Sequence, residues 1–263
     1  MVGQSVGTFT LVKNEMAWIE AHLKSWLPHV DEMVFFDGNS TDGTLEVLRR
    51  YANEGKVKLY EDKDPKDLKG DYQRLFNECL RSLSTNYAIF AHPDMILEDP
   101  GNIRSLGDSI AYTMGIRSFA GDPGGQLYEI IEGRGSRWKN IYRLRNPDLG
   151  LVYHGDYGSI DEDCYFRQIT GDEYKIHWAN GMMDMDAFPY CIKDSGIKAL
   201  HYSDVRTKAR RIDRMVKCLL NQGWSRKDAV KEAENHPRVI FVENGRFSFK
   251  PAEYHHLLSG VAK

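Results

Sequence analysis

Tyr87-Ala88-Ile89-Phe90-Ala91-His92-Pro93-Asp94-Met95-Ile96-Leu97 is the stretch on which the reading of this 263-residue chain turns. An apolar run, preceded by the polar cluster Ser84-Thr85-Asn86, stops at a histidine and a carboxylate and then becomes apolar again. A short aromatic and aliphatic run with polar flanks predicts a strand buried on both faces. Pro93 has no N–H to give a central ladder, so the strand is expected to end at His92. Open α/β sheets carry ligands at the carboxyl ends of their strands, which would put His92 and Asp94 at the mouth of a crevice. A carboxylate there can hold a divalent cation. A surface turn with Asp94 capping a helix is the plainer alternative.

The residues upstream prepare that strand. Ser5 to Val12 reads as a first strand, broken by Lys13-Asn14-Glu15. Asn14 is a plausible N-cap, and Glu15 suits the positive end of a helix. Ile19, Leu23, Trp26 and Leu27 recur at helical spacing up to Pro28. Met33 to Phe36 is a second buried strand ending in Asp37, and Gly38 to Thr44 is turn chemistry in which Ser40 or Thr41 can cap the next helix. Val57 to Tyr60 is a third strand. An exposed loop, Glu61 to Lys69, leads to a helix over Asp71 to Leu83. Strands alternating with helices predict an α/β fold with a mixed, mainly parallel sheet flanked by helices.

After Asp94 the pattern changes. Ala111 to Phe119 alternates as an antiparallel strand would, and Gly121 to Gly135 is expected to be a mobile glycine-rich connection. Trp138 to Leu144 and Ile197 to Tyr202 are further strands, and Thr207 to Gln222 is an amphipathic helix. Ser225 begins a short helix ending before Pro237, and Val239 to Phe249 reads as a hairpin around Asn244-Gly245. The expected organisation is one domain over residues 1–223 with a helix-and-hairpin tail, 224–263, packed on it.

Bulk properties exclude little but direct attention. With a net charge of −3, the whole chain is not an obvious polyanion binder. Locally, Arg206 to Lys217 is strongly basic, which reads as a solvated helix face or a phosphate contact. The four cysteines form no Cys-x-x-Cys pair, which argues against a zinc or thioredoxin-type centre and for reduced thiols of a cytoplasmic protein. No apolar run approaches a membrane span, so no integral membrane segment is expected.

Several motifs together resemble a known family. Leu11-Val12-Lys13-Asn14-Glu15 with Trp18-Ile19-Glu20, then Val30-Asp31-Glu32 and Asp37-Gly38-Asn39-Ser40-Thr41-Asp42-Gly43-Thr44, is similar to the start of family-2-type glycosyltransferases with the GT-A fold. Arg74 falls where that family has an arginine ahead of its metal motif, and His92-Pro93-Asp94 where it has Asp-x-Asp. His201-Tyr202-Ser203-Asp204-Val205-Arg206-Thr207 resembles a His-Tyr/Phe-x-x-Arg-Ser element of a subgroup. The likeness is close over the first hundred residues, patchy to about Gly223 and absent beyond.

The resemblance implies a hexosyl- or pentosyltransferase using a UDP-sugar donor and a divalent cation, manganese or magnesium. Thr10 and Val12 would lie along the base and ribose, with Glu15 among the donor-site positions. Asp37 would accept a hydrogen bond from a base N–H, with a turn aspartate as its alternative. Arg74 and Arg206 would meet the diphosphate, since a guanidinium matches phosphate oxygens. Asp94 would be the first metal ligand and His201 the second, an imidazole being compatible with manganese. His92 departs from the family and cannot repeat an aspartate's charge; contact with the ribose or weak metal binding remain open.

Transfer to an acceptor hydroxyl also needs a base. The resemblance, which implies a histidine and an acid near His154, makes Asp156 the first choice, ahead of Asp161-Glu162-Asp163 and of Asp184 and Asp186, and inversion is expected by analogy with relatives. The acceptor is a glycan, a lipid-linked sugar or a small molecule. Modified DNA carrying a hydroxylated base is the alternative that the basic run suggests. From another class, a catalytically degenerate protein binding a nucleotide sugar or a partner is the rival.

Overall fold

Val6, Thr8, Thr10 and Val12 point to one side of the first strand, and Gly7, Phe9 and Leu11 to the other, as the two-residue period of a strand demands. Both sides are buried. In a computed structural model, which describes residues 4–55, 57–62, 72–107, 111–132, 137–143, 153–154, 163–167, 173–179, 182–183, 192–221, 223–241 and 247–258, this strand lies inside a large sheet. One side packs Val6 and Val12 with Ile19, Leu23 and Trp26; the other packs Phe9 with Leu75, Phe76 and Leu80.

The elements in chain order are β1 (Val6–Val12), α1 (Met16–Trp26), β2 (Glu32–Asp37), α2 (Thr44–Ala52), β3 (Val57–Glu61), α3 (Tyr72–Ser82), β4 (Tyr87–Phe90) and β5 (Met95–Asp99). There follow β6 (Ala111–Gly121), β7 (Leu127–Glu132), β8 (Arg137–Arg143), β9 (Tyr153–His154), β10 (Asp163–Arg167), β11 (Glu173–Ala179), β12 (Met182–Met183) and β13 (Ile192–Val205). Last come α4 (Lys208–Asn221), α5 (Arg226–Asn235), α6 (Pro237–Ile240) and β14 (Phe247–Ala252).

Strands β3, β2, β1 and β4 are adjacent and parallel, with α1 and α2 on one face and α3 on the other. This is the doubly wound half that the alternating sequence predicts. Beyond β4 the sheet continues through β8, β6, β7 and β14 with antiparallel pairings, and β13 joins β6 in parallel and β5 in antiparallel. The mixed sheet thus divides into a parallel N-terminal part and a mostly antiparallel remainder. A smaller antiparallel sheet holds β9 to β12. Among the described residues, no helix is long and apolar enough to cross a membrane.

Three local expectations are corrected. The glycine-rich connection contains a regular strand, β7, because Leu127 and Ile130 are buried and the run's backbone pairs with both β6 and β14. The tail makes no hairpin with Val239 and Ile240, which are helical; its strand β14 is instead the outer strand of the main sheet. Residues 242–246, with Asn244-Gly245, lie outside the described residues. Finally, Asn14 does not cap α1. It adopts a left-handed φ of 56°, a region asparagine tolerates better than most residues, and its Oδ1 accepts from Thr41 N.

The turn after β5 meets the bend of β13 backbone to backbone. Gly101 has φ +47°, and a Cβ there would lie 2.5 Å from the carbonyl carbon of Gly196. Gly55 also has a positive φ, +86°, but faces open space. Gly55→Ala should therefore cost only the left-handed strain, about 1–2 kcal/mol. Gly101→Ala adds a steric term and should cost about 1–3 kcal/mol more. Urea denaturation of the two variants checks this; equal losses would show that the turn yields freely.

Candidate active site

Strand β4 ends at Phe90, and a tight turn closed by the Met95 N–H to the His92 carbonyl carries His92 and Asp94 past the edge of the parallel strands. Thr10 ties that turn down: it is fully buried, and its hydroxyl donates to the Ala91 carbonyl at 2.8 Å. Strand β13 supplies the other wall. His201 sits opposite Met95 in the antiparallel pairing with β5, and the Tyr202 N–H donates to the Asp94 carbonyl at 3.0 Å. Side chains alternate along β13, so His201 faces the turn while Tyr202 points away. Tyr202 is stacked between Trp18 and Phe119, with ring centroids 5.2 and 5.0 Å away, which fixes the strand's rotation.

His92, Asp94 and His201 converge. One ligand atom from each lies within 4.8 Å of the others, and the two imidazole centroids are 5.1 Å apart. His201 Nε2 stands 3.2 Å from Asp94 Oδ1, yet Oδ1 is buried and receives no aligned hydrogen bond among the described residues. Two ligands on adjacent corners of an octahedron with metal–ligand distances near 2.1 Å are separated by about 3 Å. A cation therefore fits this pair, and a buried carboxylate oxygen without an aligned hydrogen bond is the kind of atom one would satisfy.

The second oxygen of Asp94 is already used. Between His201 and Asp204 one extra residue of β13 opposes β6, and beyond this bulge β13 pairs with β6 as far as Val205. Arg206 then reaches Asp94 Oδ2 at 3.2 Å and Glu15 Oε1 at 3.0 Å, while its Nε donates to the Ser203 carbonyl. All three charged side chains are largely excluded from water. Burial would push the Asp94 carboxyl up, but His201, then Arg206, overcome it and hold Asp94 well below the usual carboxylate range. Burial works against the Arg206 charge too, and Glu15 and Asp94 more than offset it. The Glu15 carboxyl is pushed up by burial, against the pull of Arg206. His92 is lowered, by burial first and then by His201, so its imidazole is neutral and can offer a lone pair.

Around the first two strand ends, Asp37 is buried and splits its oxygens. Oδ1 accepts the Ser40 N–H at 2.8 Å, which is the turn role, while Oδ2 has no hydrogen-bond partner among the described residues. Val12 is buried in the core, and its carbonyl accepts from Gly38 N. The structure thus gathers Glu15, His92, Asp94, His201 and Arg206 into one cluster. Thr10 serves the cluster through the backbone, its hydroxyl being committed. Arg74 is exposed and engages Glu78 at 2.9 Å and Asp62 at 3.5 Å. Asp156, Asp161, Glu162, Asp184 and Asp186 lie outside the described residues.

Sequence reasoning overlooked His22. It is fully buried on α1, and its Nδ1 lies 2.8 Å from the Met95 carbonyl, one residue from Asp94. A carbonyl only accepts, so Nδ1 carries the proton. The signal was available: His22 sits one position from Leu23 on the apolar side of a helix, where a polar residue needs a partner.

No protein-family model matches the chain, and no curated protein matches it. Among solved structures it resembles S. aureus TarS 1-349 in complex with UDP-GlcNAc (15% identity, TM-score 0.42, 88% of this chain and 70% of that one). It also resembles GalNAc-T7 with UDP, GalNAc and Mn2+ (9%, 0.45, 88% and 54%). A third is glucosyl-3-phosphoglycerate synthase from Mycobacterium tuberculosis with Mn2+ and UDP-glucose (20%, 0.32, 44% of each chain). All three likenesses are distant in sequence and below 0.5 in TM-score, so the functional reading rests on the motifs and on the site itself.

His22 gives a test of the site's support. Burial lowers it from the ordinary 6.5 to about 4, so the unfolded chain binds its proton first as pH falls. The stability that the neutral ring preserves is complete above pH 6.5 and is lost as pH drops towards 4, by about 3 kcal/mol. His22→Asn, whose amide can still donate to the Met95 carbonyl, should remove about that much of the metal-free protein's acid sensitivity. Denaturant midpoints at pH 7 and pH 4 check it; an unchanged difference would mean that the ring protonates in place.

Proposed function

We propose that this chain is a GT-A-type, metal-dependent glycosyltransferase that moves a sugar from a UDP-sugar to an acceptor hydroxyl. The observation that carries the reading is Asp94 Oδ1, buried, 3.2 Å from His201 Nε2 and without an aligned hydrogen bond among the described residues, at the carboxyl end of the parallel strands. The motifs at Asp37 and His92 to Asp94 support the same reading, as does the unpartnered Asp37 Oδ2, which suits the N–H of a uracil ring.

In this reading Asp94, His201 and His92 hold the ion. When bound, it neutralises charge on the diphosphate leaving group. Two imidazoles and one carboxylate favour manganese over magnesium, which prefers oxygen ligands and retains its waters. Arg206 keeps Asp94 ionised and oriented through Oδ2, leaving Oδ1 for the metal. Glu15 acts through Arg206. Asp156 is the proposed base that takes the acceptor proton, and fold-level analogy favours inversion.

For the acceptor, a glycan, lipid-linked sugar or small molecule remains the proposal. The DNA alternative drew on the basic run, and that run is less available than it reads. Arg206 and Arg211 are buried in internal bonds, and Lys217 pairs with Asp213.

Calorimetric titration with UDP, with and without manganese, tests the donor site. Wild type should bind UDP in a manganese-dependent way, and Asp94→Ala should abolish that dependence. His92→Asp should narrow the preference for manganese over magnesium, since it restores an oxygen ligand. UDP release from UDP-sugars would exclude a merely binding protein. Absence of UDP binding under both metal conditions would sink the donor reading.

A further inference from the structure

The two arginines that the motifs point to are spent elsewhere. Arg206 is committed to Glu15, Asp94 and the Ser203 carbonyl, and Arg74 to Glu78 and Asp62. A sugar-linked diphosphate at the Asp94 site would carry only as much negative charge as one divalent ion cancels. A further unit develops on it as the bond to the sugar breaks.

We propose that Arg210, assisted by Arg214, is the phosphate clamp of this site and grips the donor's diphosphate. Arg206, Arg210 and Arg214 recur at every fourth residue, so all three lie along one side of α4 and the residues leading into it. The innermost is buried against Asp94; the next two are exposed. Arg210 reaches back over the β1–α1 loop, where its guanidinium lies 3.5 Å from the carbonyl of Asn14, the residue before Glu15. That long contact is its one side-chain hydrogen bond among the described residues, and its charge acts on Glu15. Arg214 donates to the Ser203 carbonyl, lies 3.9 Å from Asp204, and is near enough for its charge to act on His92. One guanidinium thus stands over the β1–α1 loop that carries Glu15, and the other beside Ser203, two residues past His201. Arg210 keeps its parallel N–H donors for phosphate oxygens.

The clamp rests on the donor reading above, and the two can fail separately. Wild type, Arg210→Ala, Arg210→Lys and Arg214→Ala would be titrated with UDP, uridine and inorganic pyrophosphate, all with manganese. Arg210→Ala should weaken UDP and pyrophosphate about tenfold and leave uridine unchanged. Arg210→Lys should recover part of the loss, keeping charge without the fork. Arg214→Ala should show a smaller effect, since that side chain is partly engaged. Melting curves show whether each variant stays folded. UDP and pyrophosphate binding that is equal in Arg210→Ala and wild type overturns the clamp, and leaves Arg210 either solvated or serving an anionic acceptor. If wild type binds pyrophosphate but not UDP, and Arg210→Ala loses it, the clamp stands and the uridine reading falls. Wild type binding neither overturns both.

Discussion

A single buried guanidinium holds the site together. Arg206 joins the start of α1 through Glu15, the turn after β4 through Asp94, and the end of β13 through Ser203. Burying three charges is unfavourable by itself, and such a group persists only where each charge has partners. Deleting one member of such a network typically costs about 3–5 kcal/mol, because the survivors remain buried. Asp94 also presents its other oxygen, Oδ1, where His92 and His201 converge, which places a carboxylate where a cation would be admitted.

The strand-end loops around this cluster are laced to each other, not merely adjacent. Asp42 accepts from the Met16 N–H with one oxygen and from Thr44 with the other, so one side chain from the β2–α2 loop serves the starts of both α1 and α2. Ser40 Oγ takes the Asn14 N–H, Thr44 Oγ1 takes the Glu15 N–H, and Asn14 Oδ1 takes the Thr41 N–H. Glu15 is thereby positioned from the second loop as well as by its own helix. The conspicuous turn sequence Asp37 to Thr44 has a structural purpose that needs no ligand. The exception is Asp37 Oδ2, which the lacing leaves unsatisfied.

The parallel half was legible because its signals are local. Buried strands announce themselves as apolar runs, and α1 and α3 by their spacing, so their placement needed nothing beyond neighbouring residues. What failed was whatever depended on distant partners. Leu127 to Glu132 looks like a loop until β6 and β14 are beside it, and Phe247 to Ala252 looks like half of a hairpin until β7 is available. The same limit applies to the site. Asp94 and His201 were readable as a pair through family motifs. Nothing in the spacing of Arg74 and Arg206 revealed that acidic neighbours would claim both, because Glu15 and Asp94 meet Arg206 only after the sheet has formed.

The turn bearing Asp94 and the strand bearing His201 are pinned by hydrogen bonds across more than a hundred residues of intervening chain. Closing so large a loop is entropically unfavourable, so these contacts depend on the rest of the sheet to hold their strands together. The unfolded chain has no preformed arrangement of His92, Asp94 and His201. An ion bound by all three would therefore stabilise the completed sheet selectively, in proportion to its concentration over its dissociation constant. The metal cluster would then act as a latch on the tertiary structure, coupling the supply of ions to the survival of the fold.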